Sequence, residues 1–275
     1  MISPEFSTAV TLLLYGSASV AGLAGIVART LLWRRIGCTL AVVGFACQTF
    51  MLVMGFHKVL PGGLSAGAYF QLMAWFVVLC GIAAWAKLRQ EIPLVFATPL
   101  GLMLFAMSAP YLASVVQVPP SLNTSFYALH IGALFLSLAL LALAFAVGAL
   151  FLFMEGRIKS KLTMKGFWLD MPALSMLDKI NAITTMVGFP LYTLGIVSGL
   201  IWAKPVFGGT VTGDPKEVIS IVIWLFYSVL FHNRITKGWK GRKPAQLAVF
   251  VFILCLFSII VVNTFMETHH AFIRR

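Results

Sequence analysis

Five histidines are the residues of this 275-residue chain best suited to chemistry: His57, His130, His232, His269 and His270. Each lies in or beside a long apolar stretch, where an ionisable group is costly and usually functional. Imidazole binds metal ions and exchanges protons near neutral pH. Other chemistry is missing from the pattern. There is no Ser/His/Asp trio, no paired carboxylate at one depth, no HExxH and no phosphate loop, so an enzyme is not expected. Cys38, Cys47, Cys80 and Cys255 all sit in apolar stretches without a CxxC pair, and read as small buried residues rather than disulfides or zinc ligands. Glu91, Glu155 and Glu267 fall at the ends of apolar stretches. A proton-driven transporter usually carries carboxylates within its spans, which places a small-molecule transporter third among the functional readings.

The elements that must position these histidines are transmembrane helices. Charged residues make up 10% of the chain, against roughly 25% in an ordinary soluble domain, and the mean hydropathy is +0.98. A soluble fold needs a polar outer shell; a bilayer removes that demand. Eight stretches reach the roughly 20 apolar residues needed to cross the hydrocarbon: 7–28, 36–56, 68–86, 93–115, 127–154, 181–203, 216–236 and 244–266. The expected fold is an all-α integral membrane protein, a bundle of about eight transmembrane helices. It reads as one membrane domain, 1–275, with four helices in 1–126 and four in 127–275.

The net charge of +12 suggests a nucleic-acid partner, but its placement argues against one. The basic residues form short clusters between apolar stretches, the pattern of membrane flanks. Fifteen of the 20 Lys and Arg fall in the odd-numbered connections or at their edges, among them Arg34, Arg35, Lys87, Lys179, Arg234 and Lys240. The other side holds only Lys58, Lys204, Lys216, Arg274 and Arg275. The positive-inside rule then sets the odd connections in the cytoplasm and both termini on the outer side.

That orientation sorts the histidines. His57 closes the second span, His130 lies early in the fifth, and His269 and His270 follow the eighth, all toward the outer face. Two imidazoles from different helices can hold a heme iron between them. The same positions also suit interfacial histidines that hydrogen-bond loops and headgroups, and spacing alone leaves both readings open. His232 stands apart, 18 residues beyond Asp214 and so about 27 Å along a continuous helix, near the cytoplasmic end.

Four further segments stand out. In DPKE, Asp214 suits an N-cap, Pro215 the first helical position and Glu217 the third, a variant of the capping box. Lys204 and Lys216 beside it would suit a ligand carboxylate. Segment 155–180, where Trp168, Met171, Leu174 and Leu177 alternate with Asp170, Asp178 and Lys179, reads as ending in a short amphipathic helix lying in the interface. GWKGRKP at 238–244 is a tight basic anchor, and Gly195 with Gly199 forms a GxxxG pair that permits close helix packing.

Three pieces occur in an order that carries a resemblance: LHIGALFLSLALLALAFAVGALFLFMEGRIK from Leu129, GDPKEVISIVIWLFYSVLFHNRITKGWKGRKPAQLA from Gly213, and VNTFMETHHAF from Val262. Residues 127–272 resemble the cytochrome c assembly family, the group of CcsA, CcmC and HemX-type proteins; HKVLP around His57 is similar to a family segment more loosely. The resemblance implies a multi-pass protein of the bacterial cytoplasmic membrane that handles heme b without a covalent bond, beside other cytochrome c assembly components. His130 and either His269 or His270 would be the axial ligands. Loop 204–214, with Asp214 and Lys216 at its end, would support the porphyrin. His232 falls on the family's transmembrane histidine, whose partner imidazole often comes from a fused or partner segment. Where the family carries several tryptophans before DPKE, this chain reads FGGTVTGD, with Phe207 as its one aromatic. That resembles the HemX-type branch and implies an alternative function: a non-catalytic regulator or assembly factor of heme biosynthesis, acting on glutamyl-tRNA reductase through 155–180 and 237–243.

Overall fold

A computed structural model describes residues 4–59, 66–109, 125–161, 171–211 and 213–259. They form eight α-helices and, among the described residues, no strand: α1 Pro4–Val27, α2 Leu31–Val59, α3 Ala66–Leu88, α4 Ile92–Ser108, α5 Ser125–Lys159, α6 Leu174–Phe207, α7 Pro215–Thr236 and α8 Arg242–Phe257. Six are long and apolar enough to cross a membrane, namely α1, α2, α3, α5, α6 and α7; α4 is apolar but shorter. The expected ends of the fourth and eighth spans run into residues outside those described. The protein is an all-α, multi-pass membrane protein.

Its exterior is apolar where a water-soluble fold would be polar, and its largely apolar core holds several polar side chains. Leu13 and Val27 are more than 70% exposed, while Thr11, Gln48 and Ser137 are fully buried. Lipid solvates the apolar exterior, and each buried polar group must find a partner inside the protein.

Three helices end on a basic residue in the left-handed region: Arg29 after α1, Arg89 after α3 and Lys161 after α5. At α1 the amides of Arg29 and Thr30 return to the carbonyls of Ile26 and Gly25 at 3.3 and 3.0 Å, which satisfies two carbonyls that the helix end would orphan. The cation in each case also sits favourably at the negative end of the helix dipole.

The described residues divide into two compact units: α1–α4 with the end of α5 from Gly156 in one, and α5 up to Glu155 with α6–α8 in the other. In the first, a polar chain threads the core. The Tyr15 hydroxyl donates to Gln48 Oε1 at 2.6 Å, and Gln48 Nε2 donates to the Gln71 carbonyl at 2.8 Å. Beside it the Trp75 indole donates to Thr49 Oγ1 at 2.8 Å and stacks on Phe45.

In the second unit α5 and α6 are long, 35 and 34 residues, so about 50 Å each, well beyond the roughly 30 Å of hydrocarbon. They are antiparallel and joined by a ladder in a single register. His130 Nδ1 lies 2.6 Å from the Gly195 carbonyl, Ser137 Oγ donates to the Gly188 carbonyl at 2.7 Å, and Asn181 Nδ2 donates to the Ala144 carbonyl at 3.0 Å. Successive rungs step seven residues up one helix and seven down the other, the repeat of a heptad seam. This ladder corrects the reading of 155–180. Leu174–Ile180 is the opening of α6, continuous with the span, rather than part of a separate interfacial helix; residues 162–170, with Trp168 and Asp170, lie outside those described. Leu177 is buried and Asp178 faces a partner within the unit.

Tyr15→Phe should cost about 1–2 kcal/mol, because it leaves Gln48 Oε1 without its donor. Gln48→Leu orphans the Tyr15 hydroxyl and should cost more, and adding Tyr15→Phe to it should recover part of the loss. Thermal unfolding midpoints in detergent read all three.

Candidate functional site

His130 stands in the second turn of α5, half buried, at the first rung of the α5–α6 ladder. A carbonyl oxygen only accepts, so the 2.6 Å contact to Gly195 fixes the hydrogen on Nδ1. In the neutral ring that leaves the Nε2 lone pair free to bind, the tautomer that a metal-ligating histidine takes when a backbone carbonyl holds its other nitrogen. The GxxxG pair makes this approach possible. A β-carbon on Gly199 would lie 2.5 Å from His130 Nδ1 and 2.6 Å from Cε1, and one on Gly195 would lie 2.6 Å from the Leu134 side chain. The two glycines therefore do more than let the helices close: Gly199 is the floor against which the imidazole lies.

The His130 rung lies twelve residues, about 18 Å, before the end of α6 at Phe207, and the connection 208–214 then leads into α7. Asp214 is buried and caps α7: its Oδ1 accepts the Lys216 amide at 2.7 Å, with Pro215 at the first helical position. Glu217 Oε2 accepts the Gly213 amide at 3.2 Å, closing the box from the other side. Capping accounts for these residue types whether or not a ligand is near.

His57 occupies the last turn of α2, in the first unit. His269 and His270 lie outside the described residues. His232 is exposed near the end of α7, at the opposite end of the second unit from His130. It lines a groove of about 440 Å³ with Phe189, Trp224, Ser228, Val229 and Phe231. The Phe189 and Phe231 rings meet tilted at 33°, their centroids 4.7 Å apart, and the Trp224 indole donates to Thr193 Oγ1 at 3.0 Å. Among the described residues no three His, Cys, Asp or Glu side chains gather as a metal cage; an axial pair on a heme iron needs only two.

One cluster at the His232 end escaped the sequence reading. The Arg234 side chain is only 3% exposed. Its Nη1 donates to Asp178 Oδ1 at 2.9 Å and to the Trp239 carbonyl at 3.0 Å, and its Nη2 donates to Asn181 Oδ1 at 2.6 Å. Asp178 Oδ1 also accepts the Gly241 amide at 2.9 Å. One guanidinium thus joins α6, α7 and the turn into α8, and through Asn181 it reaches the third rung of the ladder. No local signal marks this set, because Asp178 and Arg234 are 56 residues apart.

With this geometry in place, the comparisons with known proteins decide the family. A family model described as "Cytochrome C assembly protein" matches residues 9–270. The chain belongs to the cytochrome c assembly protein family. The cytochrome c biogenesis protein CcsA of Guillardia theta is 24% identical to it over 248 residues, 82% of each chain. The protein of the same name from Prochlorococcus marinus strain MIT 9301 is 30% identical over 213 residues, 70% of this chain and 69% of its own. That of Gloeothece citriformis is 27% identical over 247 residues, 73% and 75% of the two chains. The family match takes in nearly all of α1–α4 as well as the first two motifs of the C-terminal half and the third as far as His270.

Arg234→Ala should destabilise the protein by about 3–5 kcal/mol, because Asp178 is left as an uncompensated, largely buried charge. Arg234→Lys keeps the charge but not the fork that serves three acceptors at once, and should fall between wild type and Arg234→Ala. Unfolding in mixed detergent with increasing dodecyl sulfate measures both.

Proposed function

We propose that this protein is a heme-handling factor of c-type cytochrome assembly, binding heme b non-covalently near the start of α5, where its second turn packs against α6. The observation that carries the reading is the His130 imidazole, held by the Gly195 carbonyl with its Nε2 free. Heme supplies an iron whose axial positions take imidazole nitrogen. His130 would hold the iron through Nε2, and His269 or His270 would supply the second imidazole. Lys216 offers a cation for a propionate, and Asp214 holds the start of α7 in place beside it. His57, at the end of α2, is a further candidate ligand by residue type. His232 serves a second, inner position that needs an imidazole from a partner. The role is delivery rather than catalysis: binding, orienting and presenting the ligand to other assembly components. The Lys/Arg distribution supports a bacterial cytoplasmic-membrane protein with both termini, and the His130 site, on the outer side.

Protein purified in detergent from heme-replete cells should show a bis-imidazole absorption spectrum. His130→Ala should abolish it, and added imidazole should restore it in part; one of His269→Ala and His270→Ala should do the same. A colourless wild-type protein, or an unchanged spectrum in His130→Ala, refutes the proposal. Gly199→Ala displaces the ring without removing it, and should weaken heme retention about 10–100-fold, the usual effect of disturbing a ligand's supporting hydrogen bond.

The orientation is tested separately. A membrane-impermeant maleimide applied from outside intact cells should label Thr210→Cys and leave Lys240→Cys unlabelled. The reverse pattern inverts the topology.

A further inference from the structure

The turn between α7 and α8, Lys237–Gly241, is held rigidly from beneath. Gly238 and Gly241 take positive φ, 60° and 76°, which bends the chain back over the end of α7. The amides of Lys237 and Trp239 both donate to the Asn233 carbonyl, at 3.2 and 3.1 Å. The Trp239 carbonyl and the Gly241 amide are fixed by Arg234 and Asp178, at 3.0 and 2.9 Å. A loop that only had to be basic would not need this many backbone anchors from buried groups.

Charge at this end is unbalanced. Asp178 is taken by Arg234, and Glu155 pairs with Arg242 at 3.2 Å. Lys237, Lys240 and Lys243 are exposed and, among the described residues, make no ion pair. Lys243 Nζ lies over the Trp239 ring, 5.7 Å from its centroid, so cation and indole share one small surface. Phe226 on α7 and Phe250 on α8 are exposed apolar side chains with their rings packed at 4.9 Å, and Phe250 stands seven residues from Lys243 on the same face of α8. A cationic, tryptophan-bearing turn directly above a lipid-facing apolar strip matches one ligand in shape and polarity: an anionic headgroup joined to acyl chains.

We propose that Lys237, Lys240 and Lys243, with Trp239, form a specific headgroup site for an anionic phospholipid whose acyl chains lie along the Phe226–Phe250 face. The lysines contact the phosphate and the indole sits at the glycerol level. The site is separate from the heme reading, since none of its residues belongs to the His130 end.

The test uses the full chain, delipidated in neutral detergent and titrated with phosphatidylglycerol or phosphatidylcholine while native mass spectrometry counts bound lipid. One phosphatidylglycerol should bind with a preference of about tenfold or more over phosphatidylcholine, as three cations at a lipid surface imply. The triple variant K237Q/K240Q/K243Q, which leaves Arg234, Asp178 and the glycines untouched, should lose that preference while keeping the wild-type thermal midpoint. Lys87→Gln with Arg89→Gln, at a different basic turn, should keep it. Equal loss in the two variants would mean diffuse charge rather than a site, and would overturn the proposal. So would competition by millimolar inorganic phosphate, which would assign the lysines to a free anion. Phosphatidylglycerol binding retained by the triple variant, with capture of glutamyl-tRNA reductase lost, would assign the surface to a protein partner and overturn it equally.

Discussion

A polar side chain on a lipid-embedded helix has to find its partner within the protein, because hydrocarbon offers none. On the α5–α6 seam three such side chains do so, and all three in one register: His130 to Gly195, Ser137 to Gly188 and Asn181 to Ala144. The second unit's candidate chemistry depends on that register. A slip of one residue would turn each donor about 100° away from its carbonyl, leaving three polar groups facing apolar surroundings. The cost of such a slip rises with every rung, so the ladder fixes the seam far more firmly than its small net stabilisation suggests. The imidazole inherits this precision. It is aimed by the whole helix pair, and its own hydrogen bond is only the last rung.

The far end of the seam is secured by a different device. Replacing a buried ion pair with packed apolar groups is often neutral or stabilising, whereas removing one partner is expensive. Arg234 and Asp178 are therefore better understood as a specification than as a source of stability. Arg234 meets a carboxylate, an amide oxygen and a carbonyl at fixed angles, and only one arrangement of α6, α7 and the following turn satisfies all three. Asn181 belongs to both systems, since its Nδ2 serves the ladder and its Oδ1 accepts from the guanidinium. The clamp and the register of α5 on α6 are thus mechanically continuous.

What the sequence made legible follows from the range of each signal. Eight helices could be read because apolar length is a local property and the bilayer sets its threshold. The cap at Asp214, Pro215 and Glu217 was equally legible, since every bond in it spans four residues or fewer. The start of α6 was read seven residues late because Asp178 and Lys179 look like interfacial charges in a window, while Asp178 is in fact engaged inside the unit by Arg234. The resemblance in the C-terminal motifs extended to most of the chain once the family match was made. His130 could be picked out by residue type. Gly195 and Gly199 could be read only as packing, because a glycine's role depends on what faces it, and nothing in GxxxG says that an imidazole does.

The loop before Asp214 gives the positioning of His130 its weight. Flat aromatic side chains hold a porphyrin through its faces, with large contact area and stacking, and they tolerate small errors in the axial ligand because the macrocycle is already located. The segment FGGTVTGD has a single aromatic and three glycines, so little of that lateral support is available here. In the heme reading, more of the selectivity then falls on the axial imidazole and on how well its direction is set before the ligand arrives. A ring pinned at Nδ1 by a helix carbonyl, laid against a glycine and carried on a three-rung seam loses little freedom on binding. In the heme reading, preorganisation of the imidazole would take over part of the work of the aromatic side chains that the segment lacks.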